Sequence, residues 1–443
     1  MFSIKNWHDG KEWVNWAGNE TAYAHNYELP SSIEEVITLV KRANTFNQTI
    51  RVTGSAHSFS PVAKPESTAV SLHNLRGLTA VNLENNEATF YAGTYLHEIG
   101  PLLADHGLAL INMGDIQEQT LAGVISTGTH GTGVTLSSFS SMVTKWGIIT
   151  GNGDYIEHEC GEDVLSRALQ LSLGLLGILV TVTIRVVPIY NLHYVSKREN
   201  LLEELPHFQT SIRENRHVEW YYFPGSETIQ VKTMNQKPLA PDTEFHRKWE
   251  TVKANTLENG AFYLLSETCK KLPGLSSKVA KLSSISISNV ERNDISYKIF
   301  PSSRAVRFVE TEFAIPLEHF EEAIEEIHWT FVRHPMNVHF PIECRTSAGE
   351  KGFLSPTVGR ESAYLAFHMY KGMNEKFYFN WVREVMEKYD GRAHWGKVNW
   401  YNTHYANVYE QYPFAKEFNE IRKSFDPNDI FMTSYFKQVF DLK

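Results

Sequence analysis

Between residues 32 and 46, apolar side chains recur at the spacing of one helix face, and Ser31-Ser32 followed by Glu34-Glu35 matches a capping box. This pattern predicts a helix that begins near Ser32 and ends near Phe46. The same spacing predicts further helices at about 95–106, 162–173, 316–334 and 374–389. Short β-branched or apolar runs predict strands at 49–53, 306–315 and 337–345. Helices and strands are therefore expected along most of the chain.

The texture of the chain changes after Pro188. Before it, helices and strands are separated by glycine-rich loops, most densely at 114–133; after it come aromatic and charged segments. We expect an α+β fold with one domain at 1–187 and a second at 188–393. The Lys-rich segment Cys269–Val290 contains no acidic residue, and we interpret it as a solvated face or a mobile loop rather than a membrane-surface patch.

Composition and charge exclude several classes of protein. The 443 residues include 42 Lys+Arg and 51 Asp+Glu, and the formal net charge of −9 disfavours binding to nucleic acid. Three scattered cysteines (Cys160, Cys269 and Cys344) do not form a disulfide framework and fit a reducing cytoplasm. The first residues lack a secretion-signal pattern, and the longest apolar stretch, at 173–184, is shorter than the roughly 18 residues a membrane span needs. We expect a cytoplasmic protein without a transmembrane segment.

Two glycine-rich loops, at 54–58 and 114–133, are candidates for an anion site built from backbone N–H groups. Neither has the Rossmann spacing, since residues 128–133 read G-x-x-G-x-G, and no Walker lysine follows. On the residues alone, a phosphate cradle and plain tight turns both stay open. We expect no metal site, because the histidines show no H-E-x-x-H and no paired spacing with cysteine.

Four segments, in order and spacing, resemble the vanillyl-alcohol-oxidase or PCMH-type flavoproteins, and in particular their sugar-1,4-lactone oxidase and alditol oxidase branch. They are Arg51–Pro61 (RVTGSAHSFSP), Gly123–Gly133, Gly174–Arg185 and His394–Lys397 (HWGK). The resemblance implies a PCMH-type FAD-binding domain and a substrate (cap) domain with a mixed or antiparallel sheet flanked by helices. It also implies that a C-terminal segment, 394–443, returns to the flavin.

The resemblance further implies FAD as the cofactor, with His57 joined covalently to the flavin. The alternative is that His57 only hydrogen-bonds its own loop. The implied cofactor-binding residues are Arg51, Val52, Thr53, Gly54, Ser55, Ala56, His57, Ser58, Thr120, Gly123, Ser126, Thr127, Gly128, His130, Gly131, Gly177, Ile178, Val180 and Lys397.

A second constellation consists of Glu343, Arg345 and Lys397. Side chains alternate along a strand, so Glu343 and Arg345 point to the same face if 339–345 is extended. On sequence alone such a pair is commonly a surface ion pair. The resemblance assigns all three to catalysis, with a summed formal charge of +1: Glu343 for the hydroxyl proton, and Arg345 and Lys397 for orienting substrate oxygens or stabilising developing charge.

The resemblance also suggests what the enzyme oxidises. The implied substrate-binding residues are Thr120, Glu343, Arg345, His368, Tyr370 and Lys397. Tyr370 stands where alditol oxidases have threonine, which weakens the case for an alditol. We therefore expect a polyhydroxylated small molecule, a sugar-1,4-lactone, with electrons passing from reduced FAD to O2 and yielding hydrogen peroxide. The alternatives are an alditol oxidase acting on a primary hydroxyl and a flavin-binding protein without turnover. The sequence also leaves open whether the enzyme is an oxidase or a dehydrogenase with another electron acceptor.

Overall fold

The computed structural model describes residues 7–8, 12–237, 259–302 and 306–442. The first helix, α1 (Ile33–Thr45), buries Val36, Leu39, Val40 and Ala43 on one face. Ser32 Oγ accepts a hydrogen bond from the Glu35 N–H at 3.1 Å, and the Glu35 carboxylate accepts one from the Ser31 N–H at 2.7 Å. The first bond satisfies an N–H group that the first helical turn leaves without a partner. The second reaches Ser31, one residue before the N-cap, so the Ser32 half of the predicted capping box is confirmed and the reciprocal bond from Glu35 to the N-cap N–H is not formed.

Small sheets and one five-stranded sheet make up the first part of the chain. Strands β1 (Trp7–His8), β2 (Glu12–Val14) and β3 (Thr21–Tyr23) are antiparallel, whereas β4 (Asn26–Glu28), β5 (Ile50–Val52) and β6 (Thr68–Val70) are parallel, in the order β4-β6-β5. The five-stranded antiparallel sheet has the order β11-β10-β12-β8-β7. Its strands are β7 (Leu78–Asn82), β8 (Glu87–Tyr91), β10 (Val143–Ile149), β11 (Tyr155–Glu159) and β12 (Ile178–Arg185). A two-residue strand, β9 (Leu108–Ala109), pairs with β13 (Val187–Pro188).

The second part of the chain is built on one eight-stranded sheet in which every neighbouring pair is antiparallel. The order is β17-β14-β16-β15-β19-β20-β18-β21. The strands are β14 (Asn191–Asn200), β15 (His217–Tyr222), β16 (Thr228–Lys237), β17 (Val290–Ile295), β18 (Phe308–Pro316), β19 (Ile342–Ser347), β20 (Ser362–Tyr370) and β21 (Arg392–Ala393). The expected antiparallel sheet is therefore confirmed.

Helices pack against these sheets. In the first part they are α2 (Leu96–Ala104), α3 (Leu121–Thr127) and α4 (Val164–Leu169). In the second they are α5 (Leu201–Glu204), α6 (Phe208–Glu214), α7 (Asn259–Lys271), α8 (Ser276–Ile285), α9 (Ser296–Ile299), α10 (Phe320–Arg333), α11 (Lys376–Lys388), α12 (Val408–Gln411), α13 (Ala415–Phe425) and α14 (Ser434–Val439). One hydrophobic core is continuous through both parts. None of the helices described has the length and apolarity to cross a membrane.

One face of the eight-stranded sheet packs on helices and the other carries charge. Cys344 pairs with Trp220 on one side and with Leu365 on the other, and the Trp220 ring lies 4.9 Å from Phe208 of α6. Directly opposed residues share a face, so these side chains form an apolar row beneath the helices. Their neighbours in sequence, including Glu343 and Arg345, point to the opposite face.

Three local predictions were wrong. The helix predicted at 162–173 is α4, which spans only Val164–Leu169. After it the chain turns and passes Leu173 in a left-handed conformation at φ 54°, which no continuing helix allows. The glycine-rich stretch 114–133 contains a short helix, α3, which Thr120 begins by accepting the Gly123 N–H. The mobile-loop interpretation of Cys269–Val290 is also wrong, because α8 and the end of α7 occupy most of it. Its four lysines are exposed, which agrees with a solvated face.

Candidate functional site

A cleft with about 960 Å³ of empty volume, part of it open to solvent, lies in the first part of the chain. Its walls include the loop after β5, the start of α3 and the start of β12. The predicted cofactor-binding residues that line it are Arg51, Val52, Thr53, Gly54, Ser55, Ala56, His57, Ser58, Thr120, Gly123, Ser126, Thr127, Gly177 and Ile178. Gly128, His130, Gly131, Val180 and Lys397 are not part of this wall. His73, Gly93 and Tyr95 also line the cleft, and the sequence did not predict them.

The loop after β5 presents unpaired backbone amides to the cleft. Within the described residues, the N–H groups of Gly54, Ala56 and His57 donate no hydrogen bond to a protein acceptor. Ala56 has φ 56°, a left-handed conformation that turns successive amides toward a common point. A Cβ on Gly54 would lie 2.6 Å from Thr120 Oγ1, so only glycine fits beside α3. Amides of this kind are the donors that a pyrophosphate needs, and the cleft therefore fits FAD.

Arg51 connects three segments of the chain at the wall of the cleft. Its guanidinium donates to the carbonyl oxygen of Leu173 and lies 4.8 Å from the Phe436 ring centroid. Burial lowers the pKa of Arg51 to about 9. The side chain thus joins β5 to the turn before β12 and to the C-terminal helix α14.

His57 lines the cleft. Burial, and the nearby charge of Lys397, lower the pKa of His57 to about 4, so its imidazole is neutral at pH 7. The chain around Lys397 borders the same loop: the Phe59 N–H donates to the Gly396 oxygen at 2.7 Å, and Lys397 Nζ lies 5.5 Å from the Phe59 ring centroid. The part of the cleft wall that carries His57 therefore adjoins the charged face of the eight-stranded sheet.

Strand register sets the order of the side chains on this charged face. Glu343 on β19 is opposite Ala366 on β20, and Ala366 is opposite Glu312 on β18. The two carboxylates therefore stand in one row with only the small Ala366 between them. Both glutamates are buried, with exposed fractions of 3% for Glu343 and 4% for Glu312. The alternative of a surface ion pair for Glu343 and Arg345 is excluded by this burial.

Arg345 is surrounded by three carboxylates. Its guanidinium contacts Glu343, Nε lies 2.6 Å from Glu219 Oε1, and Nη2 lies 3.1 Å from Asp115 Oδ1. Burial alone would lower the pKa of Arg345, but Glu343, Glu219 and Asp115 raise it well above its ordinary value. Glu219 also pairs with Lys232 at 3.3 Å. The guanidinium is therefore a fixed cation that holds Glu343 in place.

Lys397 belongs to a neighbouring cluster on the same face. Its Nζ lies 2.7 Å from Glu310 Oε1 and 3.9 Å from Glu312 Oε2. Burial alone would raise the pKa of Glu312, but Lys397 and His130 hold it well below its ordinary value. The His130 ring stacks on Tyr364 with centroids 3.6 Å apart. A glycine-rich loop of the first part of the chain thus rests directly on the sheet.

These clusters change the expected charge of the site. Sequence reasoning assigned Glu343, Arg345 and Lys397 and missed four further carboxylates. Those carboxylates belong to Asp115, Glu219, Glu310 and Glu312. Among the described residues, the formal charges of these four carboxylates and Glu343 and of Arg345, Lys397 and Lys232 sum to −2, whereas the three residues assigned from the sequence alone sum to +1. A signal existed for Glu310 and Glu312, because two acids at period two interrupt an otherwise apolar strand.

The remaining predicted substrate residues lie in different surroundings. His368 Nε2 is 3.7 Å from Glu310 Oε1, so this side chain joins the Lys397 cluster. The Tyr370 hydroxyl instead donates to Glu267 of α7 at 2.6 Å. Thr120 sits where the loop after β5 meets α3 and lines the cleft.

Comparisons with known proteins agree with this arrangement. A family model described as D-arabinono-1,4-lactone oxidase matches residues 182–439, and one described as an FAD binding domain matches residues 25–159. The chain belongs to the D-arabinono-1,4-lactone oxidase family. This member of the family is an FAD-dependent oxidoreductase, as expected from its motifs.

Relatives of this lactone oxidase family member match over nearly their whole length. An L-gulono-1,4-lactone dehydrogenase of Mycobacterium tuberculosis is 31% identical, over 96% of this chain and 98% of the relative. An L-gulonolactone oxidase of Mus musculus is 28% identical, over 97% of this chain and 98% of the relative. Among solved structures, cholesterol oxidase from B. sterolicum superposes with a TM-score of 0.78 at 15% identity, covering 97% of this chain and 96% of that one. The last likeness concerns the fold alone.

Proposed function

We propose that this protein oxidises a sugar-1,4-lactone, such as a gulono-, galactono- or arabinono-lactone, with FAD as cofactor and dioxygen as electron acceptor, releasing hydrogen peroxide. The observation that carries the proposal is the buried row of charges beside the loop of the FAD cleft that carries His57. Membership of the lactone oxidase family supports a lactone over a linear polyol. Three free cysteines support a cytoplasmic location.

Each charged residue has a distinct part in this proposal. FAD, when bound, supplies the two-electron acceptor for the carbon that is oxidised. Glu343 accepts the proton of the substrate hydroxyl, directly or through a water, and Arg345 holds the Glu343 carboxylate in its orientation. Lys397, fixed by Glu310, places a positive charge next to the substrate, where negative charge grows during oxidation. The burial of these side chains excludes water and strengthens their interactions.

We propose in addition that His57 carries the flavin covalently, through an imidazole nitrogen bonded to the flavin 8α carbon. Its low pKa, caused by burial and by Lys397, supports this because a neutral imidazole has the lone pair that forms the bond. Forming the bond breaks a C–H bond of the 8α methyl group. The two electrons released would pass through FAD to dioxygen, which would also take up the methyl and imidazole protons and leave as hydrogen peroxide. The tether prevents loss of the cofactor.

The covalent bond is tested by denaturing the purified protein in acid. We expect the yellow colour to stay in the precipitate, because denaturation releases only a cofactor that is held by non-covalent contacts. The matched control is His57→Ala, whose flavin should leave with the supernatant. Release of all flavin from the unmodified protein would contradict the bond without affecting the proposed reaction.

The substrate is tested with a panel of sugar-1,4-lactones and of polyols such as xylitol and sorbitol. We expect turnover on at least one lactone. The kcat/KM for each polyol should be at least about tenfold lower than for that lactone, since a site built for one arrangement of oxygens rejects others. Peroxide formation and reduction of an artificial dye are measured in parallel, so that an enzyme with another acceptor is still detected. Activity on polyols alone would identify an alditol oxidase. If none of these lactones and polyols reduces the flavin, the protein is a flavin-binding protein without turnover.

A further inference from the structure

The segment before residue 25 lies outside both matched family ranges, yet it contacts the loop that carries His57. We name residues 13–20 the strap. The Trp16 N–H donates to the Ala56 oxygen at 2.7 Å, Asn15 Nδ2 donates to the Ser58 oxygen at 2.9 Å, and Asn19 Nδ2 donates to the Phe59 oxygen at 2.7 Å. Three hydrogen bonds in register therefore fasten the strap along the His57 loop.

The strap has an internal framework of its own. The buried Asn15 side chain accepts the Gly18 N–H at 2.8 Å and the Glu20 N–H at 3.1 Å, which closes a tight turn. Trp13 is 1% exposed and packs with Ala56 in a small cluster separate from the main core. Because Ala56 holds the left-handed conformation of the loop, this packing bears on the geometry next to His57.

The indole ring of Trp16 faces the His57 imidazole directly. The two rings are stacked with centroids 5.6 Å apart and planes inclined by 25°. The same indole makes T-shaped contacts with the Phe308 ring of β18, at 5.3 Å between centroids, and with the Phe59 ring, at 6.2 Å. Trp16 is thus fixed between the His57 loop and the eight-stranded sheet, and its face limits rotation of the imidazole.

We propose that Trp16 is a positioning residue for the attachment of FAD: its ring holds the His57 imidazole in the one orientation from which a ring nitrogen reaches the flavin 8α carbon. This inference rests on the covalent bond proposed above. A nucleophile that is free to rotate spends little time in a reactive geometry, whereas a stacked ring is held close to it. The strap supplies the stack and fixes the loop that carries the histidine.

The experiment follows acid-stable flavin over time after FAD is added to apoprotein. Trp16→Ala and Trp16→Leu should slow its formation about tenfold or more, since small errors of orientation cost that much, whereas Trp16→Phe keeps a ring and should stay within about threefold of the unmodified protein. Trp16→Leu retains apolar volume if the alanine variant fails to fold. Tyr23→Ala is the matched control, because Tyr23 follows the strap but is 71% exposed; it should react at the normal rate.

Reversible FAD affinity is measured in a His57→Ala background, with and without Trp16→Leu. Equal affinities support a role exerted through the imidazole. Normal formation of acid-stable flavin in both Trp16→Ala and Trp16→Leu overturns the inference. A loss of reversible FAD affinity as large as the loss of attachment rate also overturns it, because it would indicate a general structural role. If the unmodified protein itself forms no acid-stable flavin, the covalent bond fails and this inference with it. Lactone oxidation, measured separately, is not decided by that outcome.

Discussion

Glu343→Gln lowers turnover about 100-fold while FAD stays bound. The amide keeps the size of the side chain but cannot accept the substrate proton, and general base catalysis is commonly worth that factor or more. The fold tolerates the change, because Arg345 keeps Glu219 and Asp115 as partners. The measurement is kcat with a lactone, together with flavin absorbance and the melting temperature.

Glu219→Gln is the matched control for this prediction. It removes a buried carboxylate from the same guanidinium, but Glu219 faces Arg345 and Lys232 and is not in the proposed path of the proton. We expect a clearly smaller loss of turnover than for Glu343→Gln. Near-normal turnover in Glu343→Gln would remove that carboxylate from the mechanism. Equal losses in both variants would mean that the network acts only by holding Arg345.

Lys397→Met lowers turnover at least about tenfold and also destabilises the fold. Without the ammonium group, Glu310 and Glu312 remain buried with their cation removed, which costs about 3 kcal/mol of unfolding free energy. The folded protein holds the pKa of Glu312 below its ordinary value of 4.5, against the effect of burial and largely through Lys397. That stabilisation is present above the unfolded pKa and is lost as pH falls through the folded one. The difference in stability between the two proteins should therefore be largest near pH 7 and shrink below about pH 4.5.

A double variant separates the two effects of Lys397. Lys397→Met combined with Glu310→Gln removes one buried carboxylate with the lysine, so unfolding in urea should show stability recovered in part while turnover stays low. Lys397→Arg keeps the charge and should retain more activity than the methionine variant. Recovery of turnover in the double variant would contradict a direct part for the ammonium group in the reaction.

Local patterns predicted the elements well and the neighbours of the site poorly. The N-cap at Ser32 and the shared face of Glu343 and Arg345 depend on a few adjacent residues, so local patterns were enough to predict them. Glu219 contacts Arg345, which lies 126 positions later in the sequence, and a local pattern cannot predict a contact over that separation. The strand register that brings β15 beside β19 had to be known first.

The error at Cys269–Val290 has a different cause. Lysines and serines without acids favoured a solvated face or a mobile loop. The mobile loop was wrong because lysine is a good helix former and tertiary packing stabilises the helix further. Val279 and Ala280 are buried on one side of α8 while the lysines extend from the other. Composition therefore predicted the exposure of this segment but not its helical backbone.

Cys344 lies between Glu343 and Arg345 in sequence but points into the apolar row beneath the helices, where it is 2% exposed. Burial, and then the charges of Glu343 and Glu219, raise the pKa of its thiol far above the ordinary value. Peroxide attacks thiolates rather than thiols. If dioxygen is the acceptor, as proposed above, the alternation of one strand keeps this thiol off the charged face and in its unreactive form when peroxide is released.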